Sequence, residues 1–549
     1  MSKRVGTTLQ NYATILPVEI WRECFMHLGI SEHAKLAGTC HFFRGICRSF
    51  IFKSIPLSFQ IEFFRFTPSY RITRQLERMT DNIGRFTKLA MSPQYAPLVR
   101  KCTLSYYLRI HTKTVEAVAK RVKDEYESFI QAIVNYIPRF VNLREIEINC
   151  TKKMDRRVLA VLATLPQVEK LSLVSVQFGV HQLKSQIKVK KLWIDNSRSD
   201  DNPNKAAKRL EIFSAEHLEE LSVVSTAYAP KIFLALMNQG SLKNLTRLAF
   251  ELNSTDLDVL YAFLAICPNL ESIETSFGRY YGYYDANDIA FPDLPPSTLP
   301  LLRSFSGQNP VAKIFVPGRP VKKVSLEQFV WPKDRDYSEL QDMMSYLLRS
   351  TGPVTDLAVE RLRCTPELMA MLATQFPNLT RLKLGLSCLK VFPADDPHSK
   401  RLELAEATEL VFHDAGSGAS PSSDVMVPDD VHTVYMTLLH WIAHKRIVLP
   451  RNLETLHLRD ESSFLSSPHE RMSIVFYDSD SESMDPWPPK EKPYTFAVAK
   501  SIFDAVSTQY PALQRLVIRD VENLQWCKIA TGKWVLLTKR QHGHYFAKG

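Results

Sequence analysis

Two histidine pairs are the first residues whose spacing could do chemistry. His440-Trp-Ile-Ala-His444 sets two imidazoles one helical turn apart, the spacing of paired zinc ligands. A zinc protease needs a glutamate as general base directly after the first histidine. Trp441 stands there, so the reading fails on mechanism and two helix histidines remain. His542-Gly-His544 has no obvious third ligand near it. Gly416-Ser-Gly418 lacks the strand before and the helix after that a phosphate-cradling loop requires, and no Gly-x-x-x-x-Gly-Lys or Gly-x-Ser-x-Gly string occurs. The nine cysteines include no Cys-x-x-Cys pair, and 18 glycines in 549 residues leave little material for catalytic loops. With no nucleophile, metal set or cofactor loop to name, the chain is expected to be no enzyme and to need no cofactor.

The remaining chemistry is that of recognition and modification. Tyr280, Tyr281, Tyr283 and Tyr284 form a cluster that offers large contact area at small entropic cost, a candidate substrate loop beside the alternative of a poorly ordered one. The acidic run Tyr477–Asp485 makes Ser479, Ser481 and Ser483 candidate phosphosites, with a plain solvated loop as the alternative. A net charge of +11 permits an acidic partner, but Lys184, Lys188, Lys190 and Lys191 are a single local cluster, and nucleic acid is not the expected ligand. An odd cysteine count without framework spacing, no secretory signal in Met1–Leu16 and no run of about 20 apolar residues lead to the expectation of a cytoplasmic or nuclear protein without a membrane span.

Elements must position these groups, and the first lies at the N-terminus. In Ile15-Leu-Pro-Val-Glu-Ile-Trp-Arg-Glu-Cys-Phe-Met-His-Leu28, Pro17 suits a helix start and Glu19 complements the positive end of the helix dipole. Ile20, Cys24, Phe25 and Leu28 recur at helical spacing; Gly29 is expected to end the helix and Ser31 to cap a second one. Three short helices bury little alone, so a helical cap on the following domain is one reading. The string Leu16-Pro17-x-Glu19-Ile20, Phe25-x-x-Leu28, Leu36-x-x-x-Cys40-x-x-Phe43-Arg44, Phe52-x-x-Ile55 resembles the F-box motif. It departs from that pattern at Glu32-His33-Ala34, where an acidic-Leu pair is usual, and at Phe52, where a tryptophan is common. The resemblance implies a small helical bundle over 12–58 that docks on the Skp adaptor and, through it, on a cullin-RING ligase. Leu16, Pro17, Ile20, Phe25, Leu28, Leu36, Cys40 and Phe43 would include its adaptor-facing residues, some of them holding the bundle together instead.

A helical linker is expected over 59–97. From about residue 98 one pattern recurs: apolar, two variable, apolar, one variable, apolar. Clear copies are Leu143–Ile148, Val168–Leu173, Leu218–Val223, Leu245–Phe250, Leu379–Leu384, Leu453–Leu458 and Leu513–Ile518. Weaker ones are Val99–Leu104, Val189–Ile194, Leu270–Thr275, Val321–Leu326 and Val354–Val359. Each reads as a short strand, and amphipathic helices such as Leu257–Ile266 and Pro366–Thr374 lie between them. One strand and one helix per ~20–33 residues resembles degenerate leucine-rich repeats. The fold expected over 98–525 is therefore an irregular α/β solenoid with a curved parallel sheet, an ordinary parallel α/β domain being the alternative. Insertions are expected near 278–298, 414–430 and 461–493, and a C-terminal hairpin cap over 526–549. The combination resembles fungal F-box/leucine-rich-repeat proteins. It implies the substrate-recognition subunit of a Skp–cullin–F-box ubiquitin ligase; a non-ligase interaction scaffold is the alternative.

Overall fold

The computed structural model describes residues 16–63, 69–110, 116–151, 153–179, 182–196, 210–225, 227–252, 257–277, 293–295, 297–327, 337–362, 366–386, 439, 442–443, 445, 447–460, 496–519, 524–528, 534–539 and 545–548. The chain forms two compact units, 1–291 with 297–301, and 292–296 with 302–549.

The first unit opens with helices α1 (Val18–Met26), α2 (Ile30–Thr39) and α3 (His41–Ile51). Strand β1 (Ser54–Phe63) follows after two residues, then α4 (Ser69–Met91), β2 (Lys101–Ile110), α5 (Glu116–Tyr136), β3 (Glu145–Cys150), β4 (Lys153–Met154) and α6 (Arg156–Leu162). Next come β5 (Lys170–Val174), β6 (Gln177–Phe178), β7 (Gln182–Ile187), β8 (Lys191–Asp195), β9 (Glu211–Phe213) and β10 (Glu220–Val224). The unit closes with α7 (Ala229–Met237), β11 (Arg247–Leu252), α8 (Leu257–Ala265) and β12 (Ser272–Phe277). Strands β1, β2, β3, β5, β8, β10, β11 and β12 pair in that order, every neighbour parallel, while β4 with β6 and β7 with β9 form two short side ladders.

The second unit contains β13 (Ser304–Gln308), α9 (Asn309–Phe315), β14 (Lys323–Glu327), α10 (Tyr337–Leu348), β15 (Asp356–Leu362), α11 (Pro366–Gln375), β16 (Arg381–Leu386) and β17 (Thr455–Asp460). It ends with α12 (Phe496–Gln509), β18 (Arg515–Arg519), β19 (Leu524–Lys528), β20 (Trp534–Lys539) and β21 (Tyr545–Lys548). Pairing is parallel from β13 to β18 and antiparallel from β18 to β21. Strands β19 and β20 pair with Trp526 opposite Leu536, and β21 adds a third strand.

Every copy of the sequence pattern coincides with a strand of these sheets. Its first apolar residue lies just ahead of the strand in a turn, and the next two point into the core. Leu143, Ile146 and Ile148 show this, as do Leu379, Leu382 and Leu384, all essentially without solvent exposure. The variable residue after the first apolar one supplies a carbonyl that accepts two N–H groups from the next copy. Lys53 O accepts from Arg100 N and Lys101 N at 2.9 Å each; Arg100 O accepts from Arg144 N and Glu145 N at 2.8 and 3.0 Å. The relay continues through Arg144, Glu169, Lys190 and Glu219 to Thr246 O, which takes Glu271 N and Ser272 N. In the second unit it runs from Arg303 O to Glu454 O, which takes Gln514 N and Arg515 N. A carbonyl has two lone pairs, so one oxygen satisfies both amides that a tight turn would otherwise leave unpaired.

An asparagine just before the pattern adds a second, side-chain rung. Asn142 Nδ2 donates to Pro97 O, Asn244 to Glu216 O, Asn269 to Lys243 O and Asn452 to Pro377 O, at 2.7 to 2.9 Å. These asparagines stand ahead of the strands.

The span 59–97, expected as a helical linker, holds the end of β1 and helix α4, which packs on that strand. Residues 54–63 are β1, whose Ile55, Leu57, Phe59 and Ile61 alternate into the core, and α4 covers that strand through Ile72, Leu76, Met79 and Phe86. Phe52-Lys-Ser-Ile55-Pro-Leu57 is itself a copy of the pattern, hidden because the N-terminal motif had absorbed Phe52 and Ile55. Pro56 cannot donate to a ladder, and β1 carries it as a strand paired on the β2 side. A second copy passed over is Leu302-Arg-Ser-Phe305-Ser-Gly307, which forms β13 with glycine at its last apolar position.

In the second unit the side chain of Arg319, 1% exposed, clamps backbone carbonyls. Its Nη1 donates to Ile314 O and Pro317 O, and its Nη2 to Leu294 O and Pro295 O, at 2.7 to 3.0 Å. Arg319→Met should leave these carbonyls without donors and lower unfolding stability by about 3 kcal/mol, read as a reduced urea midpoint. A midpoint equal to wild type would contradict the assignment.

Candidate functional site

The three N-terminal helices divide their apolar residues between a small core and an exposed set. Phe25, Ile46 and Cys47 are buried, and Val18, Trp21, Leu36, Ala37, Phe42, Phe43, Phe50 and Ile51 pack around them. The packing is largely aromatic: Trp21 meets Phe43 edge-on with ring centres 5.0 Å apart, and Phe25 meets Phe43 at 5.3 Å. Such pairs contribute about 0.5–1.5 kcal/mol each beyond burial, which matters in a module this small. Burial raises the Cys47 thiol above its ordinary value, with Cys40 adding to the effect.

His33 occupies the position where the F-box pattern usually has leucine. It is buried, stacks on Phe50 with ring centres 4.8 Å apart and bonds through Nε2 to Phe25 O at 2.8 Å. The imidazole thus fills the apolar site with its flat face and ties α1 to α2 with its edge.

The helix boundaries correct two expectations. Gly29 neither ends α1 nor adopts a left-handed conformation; at φ −81° it is the N-cap of α2. A Cβ there would fall 2.5 Å from Glu32 Oε2, so glycine leaves room for the carboxylate three residues on to fold back over the helix start. Ser31 lies within α2 and is not its cap. Pro17 sits at the N-cap of α1, its carbonyl accepting from Ile20 N at 3.1 Å.

Of the residues expected to include the adaptor-facing ones, Phe25, Leu36 and Phe43 belong to the packed interior, and Cys40 Sγ caps α3 by accepting from Phe43 N at 3.4 Å. Leu16 (40%), Ile20 (45%) and Leu28 (37%) are exposed, as are Pro17 and two residues the motif did not single out, Met26 (56%) and Ile30 (62%). Five of the twelve exposed large apolar side chains among the described residues thus fall between 16 and 30. Scattered exposed apolar side chains are ordinary on a folded protein, and this concentration sets the segment apart from the rest of the described surface. Ile20 and Cys24, also exposed, lie four residues apart on one stripe of α1.

The module is fixed to the sheet. Phe52 packs on Tyr95 with ring centres 4.6 Å apart, and the Arg48 guanidinium lies 5.7 Å from the same ring.

Tyr280, Tyr281, Tyr283, Tyr284, Ser479, Ser481, Ser483, His440, His444, His542, His544, Gly416 and Gly418 lie outside the described residues. Within the 184–191 cluster, Lys188 pairs with Glu216 at 2.8 Å and Lys191 with Glu220 at 2.9 Å. Among the described residues no cluster of histidine, cysteine or carboxylate side chains could hold a metal, and no helix is long and apolar enough to cross a membrane.

Residues 14–55 match the F-box domain family, a span that covers α1 to α3 and ends on the first two residues of β1. The N-terminal module is an F-box domain. No curated protein matches the chain.

Phe25→Ala should destabilise the module by about 3–5 kcal/mol through the cavity left in an aromatic core, whereas Ile20→Asp should alter folding by no more than about 0.5 kcal/mol. Thermal melts of residues 16–60 by amide exchange check both. Iodoacetamide should modify Cys24 and spare Cys47 in the folded chain; equal labelling would contradict the division into core and surface.

Proposed function

We propose that the chain is the substrate-recognition subunit of a Skp–cullin–F-box ubiquitin ligase. F-box domains bind the Skp adaptor of cullin-RING ligases, and an F-box domain suggests a ubiquitin-ligase adaptor role in general. The observation that carries the reading is the exposed set Leu16, Pro17, Ile20, Met26, Leu28 and Ile30 on a module whose core is filled by other residues. This apolar surface takes the adaptor. The scaffold alternative would press Phe25 and Leu28 against the repeats; Phe25 is instead buried by the other helices and Leu28 stays exposed.

In this reading the strands beyond the F-box are degenerate leucine-rich-type repeats forming a solenoid, and they hold a protein substrate. The repeated pattern, the parallel register and the shared-carbonyl rungs support it. The chain performs no bond chemistry of its own. It raises the effective concentration of a substrate lysine at a catalytic centre supplied by other subunits, in the cytoplasm or nucleus.

Capture on purified Skp adaptor tests the reading. Removing residues 1–60 would also remove most of β1, so surface variants of the full chain are the cleaner probe. Leu16→Asp/Ile20→Asp should lose at least tenfold in adaptor affinity at unchanged melting temperature, and adaptor should shield Cys24 from alkylation. Wild-type affinity in that variant, or no binding by the folded wild type, would overturn the proposal.

A further inference from the structure

We propose that helix α4 presents a row of arginines that docks an acidic α-helix of a partner protein, one carrying carboxylates at seven-residue spacing. This partner does not depend on the receptor reading, and its surface is distinct from the exposed apolar set at 16–30.

The sequence of α4 repeats itself. Arg71-Ile-Thr, Arg78-Met-Thr and Arg85-Phe-Thr are three copies of one phrase, each seven residues after the last. The apolar member points inward: Ile72, Met79 and Phe86 are buried, and the helix packs on β1 and α5. Helix geometry then fixes the arginines. Seven residues are nearly two turns, so Arg71, Arg78 and Arg85 fall along one stripe, ~10.5 Å apart along the axis and rotated by ~20° from one to the next. All three are exposed.

The stripe carries donors and no acid. Four residues after the first two arginines stand Gln75 and Asn82, themselves seven apart. Asp81 is the one carboxylate three or four residues from any of the three arginines, and among the described residues no ion pair joins it to Arg78 or Arg85. Arg71 Nε donates to Tyr70 Oη at 3.4 Å, a neutral partner. A solvated helix ordinarily interleaves opposite charges at three or four residues. Exposed arginines elsewhere in this unit do find carboxylates: Arg144 meets Glu169 at 3.2 Å, and Arg157 meets Asp155 at 2.8 Å. With Arg74 and Lys88, also exposed, α4 holds five cations against Glu77 and Asp81.

The period of the row selects its partner. A guanidinium takes a carboxylate through two parallel N–H bonds. An α-helix lying alongside α4 repeats its side chains with the same rise, so acidic residues seven apart meet all three arginines at once. Duplex nucleic acid carries about one charge per 1.7 Å of axis. It would draw on Arg74 and Lys88 as much as on the row and would not select the spacing.

Fluorescence anisotropy with the full chain at low salt tests this, using two dye-labelled helical peptides of alanine, glutamine and three glutamates. One spaces the glutamates by seven residues, the other by five, which winds them around the helix. The seven-spaced peptide should bind at least fivefold tighter. Arg71→Gln/Arg78→Gln/Arg85→Gln should weaken it at least tenfold at unchanged melting temperature, and Arg74→Gln/Lys88→Gln less than threefold; glutamine keeps the helix propensity of arginine. If the triple variant melts lower, Arg78→Gln alone decides, with an expected loss of about threefold. Equal affinity for the two peptides, equal losses in the two multiple variants, wild-type affinity in Arg78→Gln, or no binding by the wild type would overturn the proposal. A DNA duplex bound more tightly than the seven-spaced peptide, through the same three arginines, would overturn it in favour of nucleic acid.

Discussion

One carbonyl shared by two amides is the interaction on which the rest of the first unit depends. Parallel strands joined by crossover segments need a turn into each strand, and a turn buried between neighbours leaves amides that water cannot reach. Here the oxygen after the leading apolar residue satisfies two of them at once, and asparagines in the same turns satisfy further carbonyls. Each rung contributes only about 1 kcal/mol net, yet an unmade rung would cost more than a made one gains. The device therefore tolerates wide variation in what lies between strands. It fixes only the turn, the register and the inward face, which is why the segments between rungs differ so much in length and structure.

The relay begins at Lys53, two residues after the last F-box helix, and this joins the F-box helices to the sheet. With Phe52 and Arg48 on Tyr95 as well, the F-box helices and the sheet belong to one compact unit. In the proposed receptor role, such a joint would limit where a substrate lysine is presented and avoid the dilution a flexible linker imposes. The F-box core is small and aromatic, with His33 doing the work of an aliphatic residue. That economy leaves Leu16, Ile20, Met26, Leu28 and Ile30 outside, free for a partner.

Much of this was legible in the residues. The apolar spacing located twelve strands, because two inward side chains and a buried turn residue leave a recurring signal. The helices 257–265 and 366–375 followed from periodicity in the same way. Strand β1 was missed because Phe52 and Ile55 serve two patterns at once, and β13 because Gly307 stands where the third apolar residue belongs. The division of the motif residues into buried Phe25 and exposed Ile20 was not legible, since both lie on a helix at apolar positions and only packing against α2 and α3 separates them.

Amide hydrogen exchange on the full chain, with and without Skp adaptor, tests the central claim most directly. The account predicts that residues 54–61 and the Arg100 and Lys101 amides exchange as slowly as β3 and β5, and that adaptor slows residues 16–30 while leaving β5 and β8 unchanged. Fast exchange over 54–61, as in a linker, or adaptor protection centred on the sheet with none at 16–30, would contradict it.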